Sequence, residues 1–356
     1  MKGYRPELDG LRGISILLVY IHHFYQPLVP GGFLGLDIFF VLSGFLITSQ
    51  LVQEWNVRGS ISLKNFYARR ALRLMPAVFL LILITGTLAL IVDKKTAAQT
   101  YQGIWLTLSY VSNWFYAFGH FSTNNPFAIT WSLAIEEQFY LTWPLLLILI
   151  LRFQRRWALY LLVLIIAIIP LHRRILLEQG ANLFRLYYGS DTRPDGLPIG
   201  CLLALLTSWN LLPHDNKKFE ICMKFLAAIG SIFFLYLLSY PSCTDLLLFR
   251  YGGLTLISLS VGIFLVVVVL YPPKFVLLIL RFRPLVWIGR ISYGIYLWHW
   301  VVYWFIWARK AQSLPPSTEQ LAVMVVFSLL LPTLSYHFVE KPFLRWKKRF
   351  GIGMMA

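Results

Sequence analysis

Charged side chains are scarce in this chain. Asp, Glu, Lys and Arg make up 13% of its 356 residues, against roughly 25% in a soluble domain. Acids are the scarcer sign, 15 against 32 Lys and Arg. Cysteine is nearly missing: Cys201, Cys222 and Cys243 form no CxxC pair. That excludes a disulfide framework and leaves the three as small apolar fillers. No Cys/His group has metal-ligand spacing, so neither a metal nor a permanently bound cofactor is expected. The sequence shows no internal repeat, no low-complexity segment and no stretch that would make a soluble domain.

What the chain has instead is hydrophobic length. Hydrophobic residues make up 58% of it, and its mean hydropathy is +0.67. Apolar runs of about 18 residues or more cross a hydrocarbon core of about 30 Å as helices. Ten such runs are expected to span, at 11–29, 34–52, 72–92, 132–151, 157–172, 194–209, 219–240, 251–271, 288–307 and 320–339. The expected fold class is therefore all-α, a polytopic membrane helix bundle. The apolar, aromatic stretch 100–118 would break the charge parity as a full span, so it reads as a re-entrant or interfacial helix on the outer side. The stretch 275–280 reads as interfacial on the inner side. The first run has no small-residue cleavage site after it and reads as a retained span.

A net charge of +17 would suggest nucleic acid in a soluble protein. Here the basic residues sit in short clusters between apolar runs. With the N-terminus inside, 23 of the 32 Lys and Arg fall on inner segments and span ends. This is the positive-inside bias. It puts both termini in the cytoplasm, surrounds the bundle with membrane lipids and leaves no role for nucleic acid. Residues 1–345 read as one membrane domain and 346–356 as a short basic cytoplasmic tail.

Charges inside spans are costly and usually functional. Arg12 and His23 lie eleven residues apart in the first run. On a helix they share one face within about 20° and stand about 16 Å apart. The spacing alone also fits a snorkelling Arg and an interfacial His. Asp37 follows three glycines into the second run; it pairs with a buried cation or stays wet at the outer surface. Arg70 and Arg73 are i and i+3, so they share a face, and guanidinium forks match phosphate oxygens. Ordinary inner-side anchoring explains them as well. Trp131 and Ser132 open the fourth run, followed by the adjacent acids Glu136 and Glu137. These two either act in the bundle interior or complement a helix N-terminus. Arg193 and Asp195 flank Pro194 at a shaped turn before the sixth run. Tyr293 and His299 lie in an aromatic helix, where a His is more often a hydrogen-bonded core residue. His337, Glu340 and Lys341 look like inner-interface anchors.

Taken together, these segments resemble the acyltransferase-3 family of integral membrane acyltransferases, of the glycan O-acyltransferase type. The matching pieces are Arg12 to His23, the Gly-Leu-Asp-Ile-Phe-Phe-Val-Leu-Ser-Gly run ending at Gly44, and Tyr67 to Arg73. They continue with Trp131 to Tyr140, the Ser-Tyr-Gly-Ile-Tyr-Leu-Trp-His run ending at His299, and Val339 to Pro342. They stand in family order over nearly the whole chain. The resemblance implies ten membrane helices in a bacterial cytoplasmic membrane. It implies transfer of an acyl group, expected to be acetyl, from cytoplasmic acyl-CoA to a carbohydrate hydroxyl of a cell-surface glycan. It assigns the essential pair to Arg12 and His23, the two-arginine motif to Arg70 and Arg73, and the acidic motif to Glu136 with Glu137. Some longer relatives carry a fused esterase-like domain, and this chain is expected to lack one.

On this reading CoA phosphates dock on Arg70 and Arg73, with Arg12 a further candidate. His23 serves as general base or carries the acyl group covalently. A Glu at 136 or 137 orients His23 or the sugar. Asp37, Trp131, Ser132, Arg193, Asp195, Tyr293 and His299 are acceptor-binding or structural candidates. The rival from another class is a glycan or lipid flippase without chemistry, since buried charges also mark transport paths; the repeats usual in transporters are missing. A non-catalytic membrane interaction protein would leave the buried charges unexplained. The oligomeric state, a homo-oligomer included, is not encoded in any visible pattern.

Overall fold

The computed structural model describes residues 4–92, 94–122, 124–153, 155–213, 215–239, 249–310 and 316–350. Among these residues the regular structure is helical, with no strand. Seven helices are long and apolar enough to cross a membrane: Gly32–Arg58, Leu63–Val92, Thr130–Arg152, Arg156–Glu178, Lys217–Leu238, Gly253–Leu270 and Thr318–Lys347. The chain is an all-α, polytopic membrane bundle. The other three expected runs fall on Pro6–Phe24, Gly196–Ser208 and Ser292–Ile306. The last two have 13 and 15 residues, about 20 Å of helix each at 1.5 Å per residue. Neither reaches across the core by length alone.

Local chemistry explains the boundaries that differ from expectation. The first helix starts at Pro6, where the fixed φ of proline suits a helix start. It ends at Phe24, before Tyr25 leaves the helical region at φ −150° and Pro27 enters a short 3₁₀ turn. His23 therefore sits in the last turn, whereas the expected span 11–29 continues six residues beyond it. The third helix begins at Leu63, nine residues before the expected apolar run, so Arg70 and Arg73 lie well inside it. The stretch 100–118 is two helices, Lys94–Leu108 and Ser112–Ala117, parted where Tyr110 adopts φ 55°. Pro332 interrupts the last long helix, and a π-helical turn, Ser335–Glu340, follows it; such local adjustments let membrane helices re-satisfy backbone groups near proline. Cys201 is buried and Cys222 exposed. Cys243 and the tail residues 351–356 lie outside the described residues.

The chain forms two compact units, one from Met1–Ser60 with Gln138–Arg290, the other from Ile61–Glu137 with Ile291–Ala356. In the first, the Gly35–Arg58 and Gly196–Ser208 helices pack against each other. A Cβ on Gly44 would strike the Leu197 carbonyl, and one on Gly200 the Val41 carbonyl. Lipid gives no hydrophobic drive between helices, so such small-residue contacts carry the association. Leu11, Val41, Phe45, Ala204 and Leu265 are buried beside this seam. In the second unit, Ala77, Leu81, Phe127, Leu297 and Trp298 form the core.

Candidate active site

The first helix runs unbroken through Arg12 and His23. Ile16 and Val19, on the same face, are fully buried. Arg12 Nη1 lies 3.6 Å from Asp9 Oδ1. The His23 ring meets His22 edge-on at 5.5 Å. The following loop closes on this end of the helix: Gly32 leaves no room between itself and the Leu18 carbonyl and His22 Cβ. Ser15 Oγ donates to the Gly35 carbonyl at 2.5 Å.

Asp37, two residues on, is fully buried. It is not a wet surface carboxylate. Arg193 forks it, Nη1 to Oδ1 at 2.6 Å and Nη2 to Oδ2 at 2.9 Å. The same guanidinium lies 5.5 Å from the Tyr187 ring centroid and 5.8 Å from that of Phe40. Asp195 pairs with Arg173, and both are fully enclosed. Thr255 Oγ1 donates to Asp195 at 2.5 Å and accepts from Arg173 at 2.8 Å. Arg173 also donates to the Thr192 carbonyl at 2.7 Å. Burying two charge pairs is costly unless hydrogen bonds compensate; here the Nη donors of both guanidinium groups are bonded, while the buried Nε of Arg173 and of Arg193 makes no hydrogen bond. Arg173, on a segment the charge bias puts outside, is enclosed in the bundle.

In the second unit, Glu136 and Glu137 are the seventh and eighth residues of the helix that starts at Thr130. They lie past its first turn, so complementing the helix N-terminus does not account for them. Glu137 interacts electrostatically with Arg70 and Glu136. Tyr293 interacts with both acids and with Tyr110 and Glu340, and its hydroxyl donates to the Leu74 carbonyl at 3.3 Å. Arg70 is buried, 5.7 Å from the Phe66 ring. Glu340 is buried rather than anchored at an interface. It accepts from Ser335 at 3.0 Å within the π-helical turn and interacts with Arg73. Ser132 and Tyr296 hydroxyls meet at 2.6 Å, and Trp131 is buried. His299 is fully buried, its Nδ1 3.0 Å from the Ile295 carbonyl of its own helix. That is the environment of a packed core histidine. Among the described residues no His/Cys/Asp/Glu group could hold a metal.

The model of the acyltransferase-3 family, described as an acyltransferase domain, matches residues 5–337. The chain belongs to this family. It is 37% identical over 95% of its length to a putative peptidoglycan O-acetyltransferase of Bacillus subtilis, covering 55% of that protein. It is 33% identical over 96% of its length to the peptidoglycan O-acetyltransferase OatA of Listeria monocytogenes, covering 56% of it. Putative O-acetyltransferases of Staphylococcus aureus are 36% identical over 96% of the chain, which covers 57% of each. The chain thus spans a little over half the length of these relatives. No solved structure matches it.

The sequence motifs of this acyltransferase-3 chain locate Asp37, Arg70, Arg193 and Asp195 among the buried charges; besides the buried Glu7 and Glu54 they miss three features. Arg173 is one. It lies on the face of its helix that also buries Ala158, Leu162 and Ile169, a face the sequence does not distinguish from the equally apolar exposed one. Glu340 is the second, with only its place beside Pro342 to hint at it. The third is a polar cluster at residues 172–191, whose partners are too far apart in sequence to show as a motif. There Asp191 accepts from Arg185 at 2.8 and 2.5 Å and from His172 Nε2 at 2.9 Å.

Proposed function

We propose that this chain is a membrane-embedded O-acyltransferase that moves an acetyl group from cytoplasmic acetyl-CoA to a hydroxyl of a cell-surface glycan, in the peptidoglycan class. The observation that carries the reading is the unbroken Pro6–Phe24 helix of a family member, with Arg12 and His23 on one face. Relatives that bear the name peptidoglycan O-acetyltransferase support the acceptor class. Arg70 and Arg73 bind the donor phosphates through their planar forks. His23 takes the proton from the acceptor hydroxyl as that oxygen attacks the thioester carbonyl. The C–S bond breaks, and CoA leaves as the thiol with the proton returned from the imidazolium. A covalent acyl-histidine on the way is the alternative order of the same bonds.

The test is incubation of the purified chain, in lipid, with acetyl-CoA radiolabelled in the acetyl group and peptidoglycan fragments. Label recovered in ester linkage to the glycan is the expected result. Glycan movement across the bilayer without label would replace this reading with the flippase.

A further inference from the structure

The segment Gly189–Asp195 ties more elements together than any turn needs. Ser190 Oγ donates to Gln138 Oε1 at 2.5 Å. Asp191 holds Arg185 and His172, Arg193 holds Asp37, and Asp195 holds Arg173 and Thr255. Its polar side chains thus reach Asp37, Gln138, His172, Arg173, Arg185 and Thr255, residues of five different helices that all lie in the first unit. The Asp37 and Asp195 end is fully buried. The Asp191 end is open: the side chains of His172 and Asp191 are 37% and 35% exposed.

Beside the open end stands an aromatic pair. Phe184 and Tyr188 stack with their planes 3° apart and centroids at 6.1 Å. Phe184 is 56% exposed. From there ring contacts run without a gap toward the first helix. Tyr188 meets Tyr187 at 5.1 Å, Tyr187 meets Phe33 at 6.3 Å, Phe33 meets His22 at 5.6 Å, and His22 meets His23 at 5.5 Å.

We infer that Phe184 and Tyr188, with Arg185, Asp191, His172 and Ser190, form a subsite for the carbohydrate acceptor. A pyranose ring presents a C–H face and an edge of hydroxyls. Flat rings, that of Phe184 exposed and that of Tyr188 half-buried, suit the first. Carboxylate, guanidinium, imidazole and hydroxyl groups suit the second, and here they are positioned by the pairing of Arg185 and His172 with Asp191 and of Ser190 with Gln138. The subsite rests on the proposed function and adds to it residues that hold the glycan at the far end of the ring contacts leading to His23.

The probe is the β-1,4-linked tetramer of N-acetylglucosamine, with the full chain in lipid nanodiscs. Two readouts are taken: saturation-transfer NMR for binding, and acceptor KM for acetyl transfer. Phe184→Ala with Tyr188→Ala should weaken binding about tenfold. Acceptor KM should rise in step, with the KM for acetyl-CoA unchanged. Phe184→Leu with Tyr188→Leu keeps an apolar membrane anchor but loses the flat rings, and should behave like the Ala pair. Asp191→Asn should weaken binding with both rings in place. Wild-type affinity in the Leu pair would make the rings anchors only and overturn the subsite. Absence of tetramer binding to the wild-type chain would overturn it too. Binding that is lost in the variants, from a wild type that transfers no acetyl group, would uphold the subsite and sink the proposed function instead.

Discussion

Arg173 and Arg174 are neighbours in sequence, yet one side chain is fully enclosed and the other 61% exposed on a loose i,i+4 pair with Glu178. One helical step of 100° separates a residue the fold depends on from one it does not. His22 and His23 pose the same question for catalysis. His22 is spent on packing: it lies against Phe33, and its Nδ1 is 3.4 Å from the Val29 carbonyl. We expect His23→Ala to cut acetyl transfer by about 10²–10⁴-fold, the usual worth of a general base, with expression and insertion retained. His22→Ala should lose far less. Full activity in His23→Ala would remove the histidine from the chemistry. Asp191 supplies a pH prediction. Burial alone would push its carboxyl up, but the hydrogen bonds from Arg185 and His172 hold it below the ordinary carboxylate range. Its contribution is therefore fully present above the unfolded value of about 3.9 and is lost as pH falls through the lower folded value. Thermal unfolding of Asp191→Asn should start below wild type at neutral pH, and the gap should close on acidification below about pH 4. A gap that stays constant to pH 3 would contradict the ion pairing.

Between elements, what matters is how two helices come close in a solvent that does not push them together. The Gly35–Arg58 and Gly196–Ser208 helices meet backbone to backbone at Gly44 and Gly200. The Asp37–Arg193 pair locks one end of that seam. Breaking a buried pair by removing one partner typically costs about 3–5 kcal/mol, whereas replacing both with apolar residues is often neutral. We expect Arg193→Ala to lower thermal stability in detergent sharply, and Asp37→Leu with Arg193→Met to recover most of it. A double variant no more stable than Arg193→Ala would mean that packing around the pair, not its charge, holds the seam.

For the whole molecule the open question is sidedness, because a cytoplasmic donor needs the Arg70 and Arg73 helix to begin inside. Ser60, just before that helix, and Gln179, after the Arg155–Glu178 helix, are exposed positions on segments the charge bias puts on opposite sides. Single cysteines there, in a background without Cys201, Cys222 and Cys243, report the arrangement. An impermeant thiol reagent on intact cells should label position 179 and spare position 60. The reverse pattern would put the donor arginines on the wrong side and end the donor-entry model.

Composition and run length alone determined that this is a helical membrane bundle, because the thickness of the hydrocarbon core converts directly into a count of apolar residues. Ordered motifs picked out Asp37, Arg70, Glu137 and Arg193 as out of place in lipid. Which of them meet was decided only by the tertiary structure. In a soluble helix, polarity marks the outer face. Here Trp157, Tyr160, Leu164 and Leu171 are as apolar as the buried Leu162 and Ile169, yet exposed. Both environments are greasy, so periodicity cannot say which face turns inward. Arg173 could not be told from Arg174, nor Glu340 from an anchor, until the neighbouring helices were in place. The partners of Asp37 and Asp195 were undetermined for the same reason. A buried charge shows in the sequence as a cost, but its compensation comes from residues such as Arg193, 156 positions away, and only packing brings them within hydrogen-bond reach.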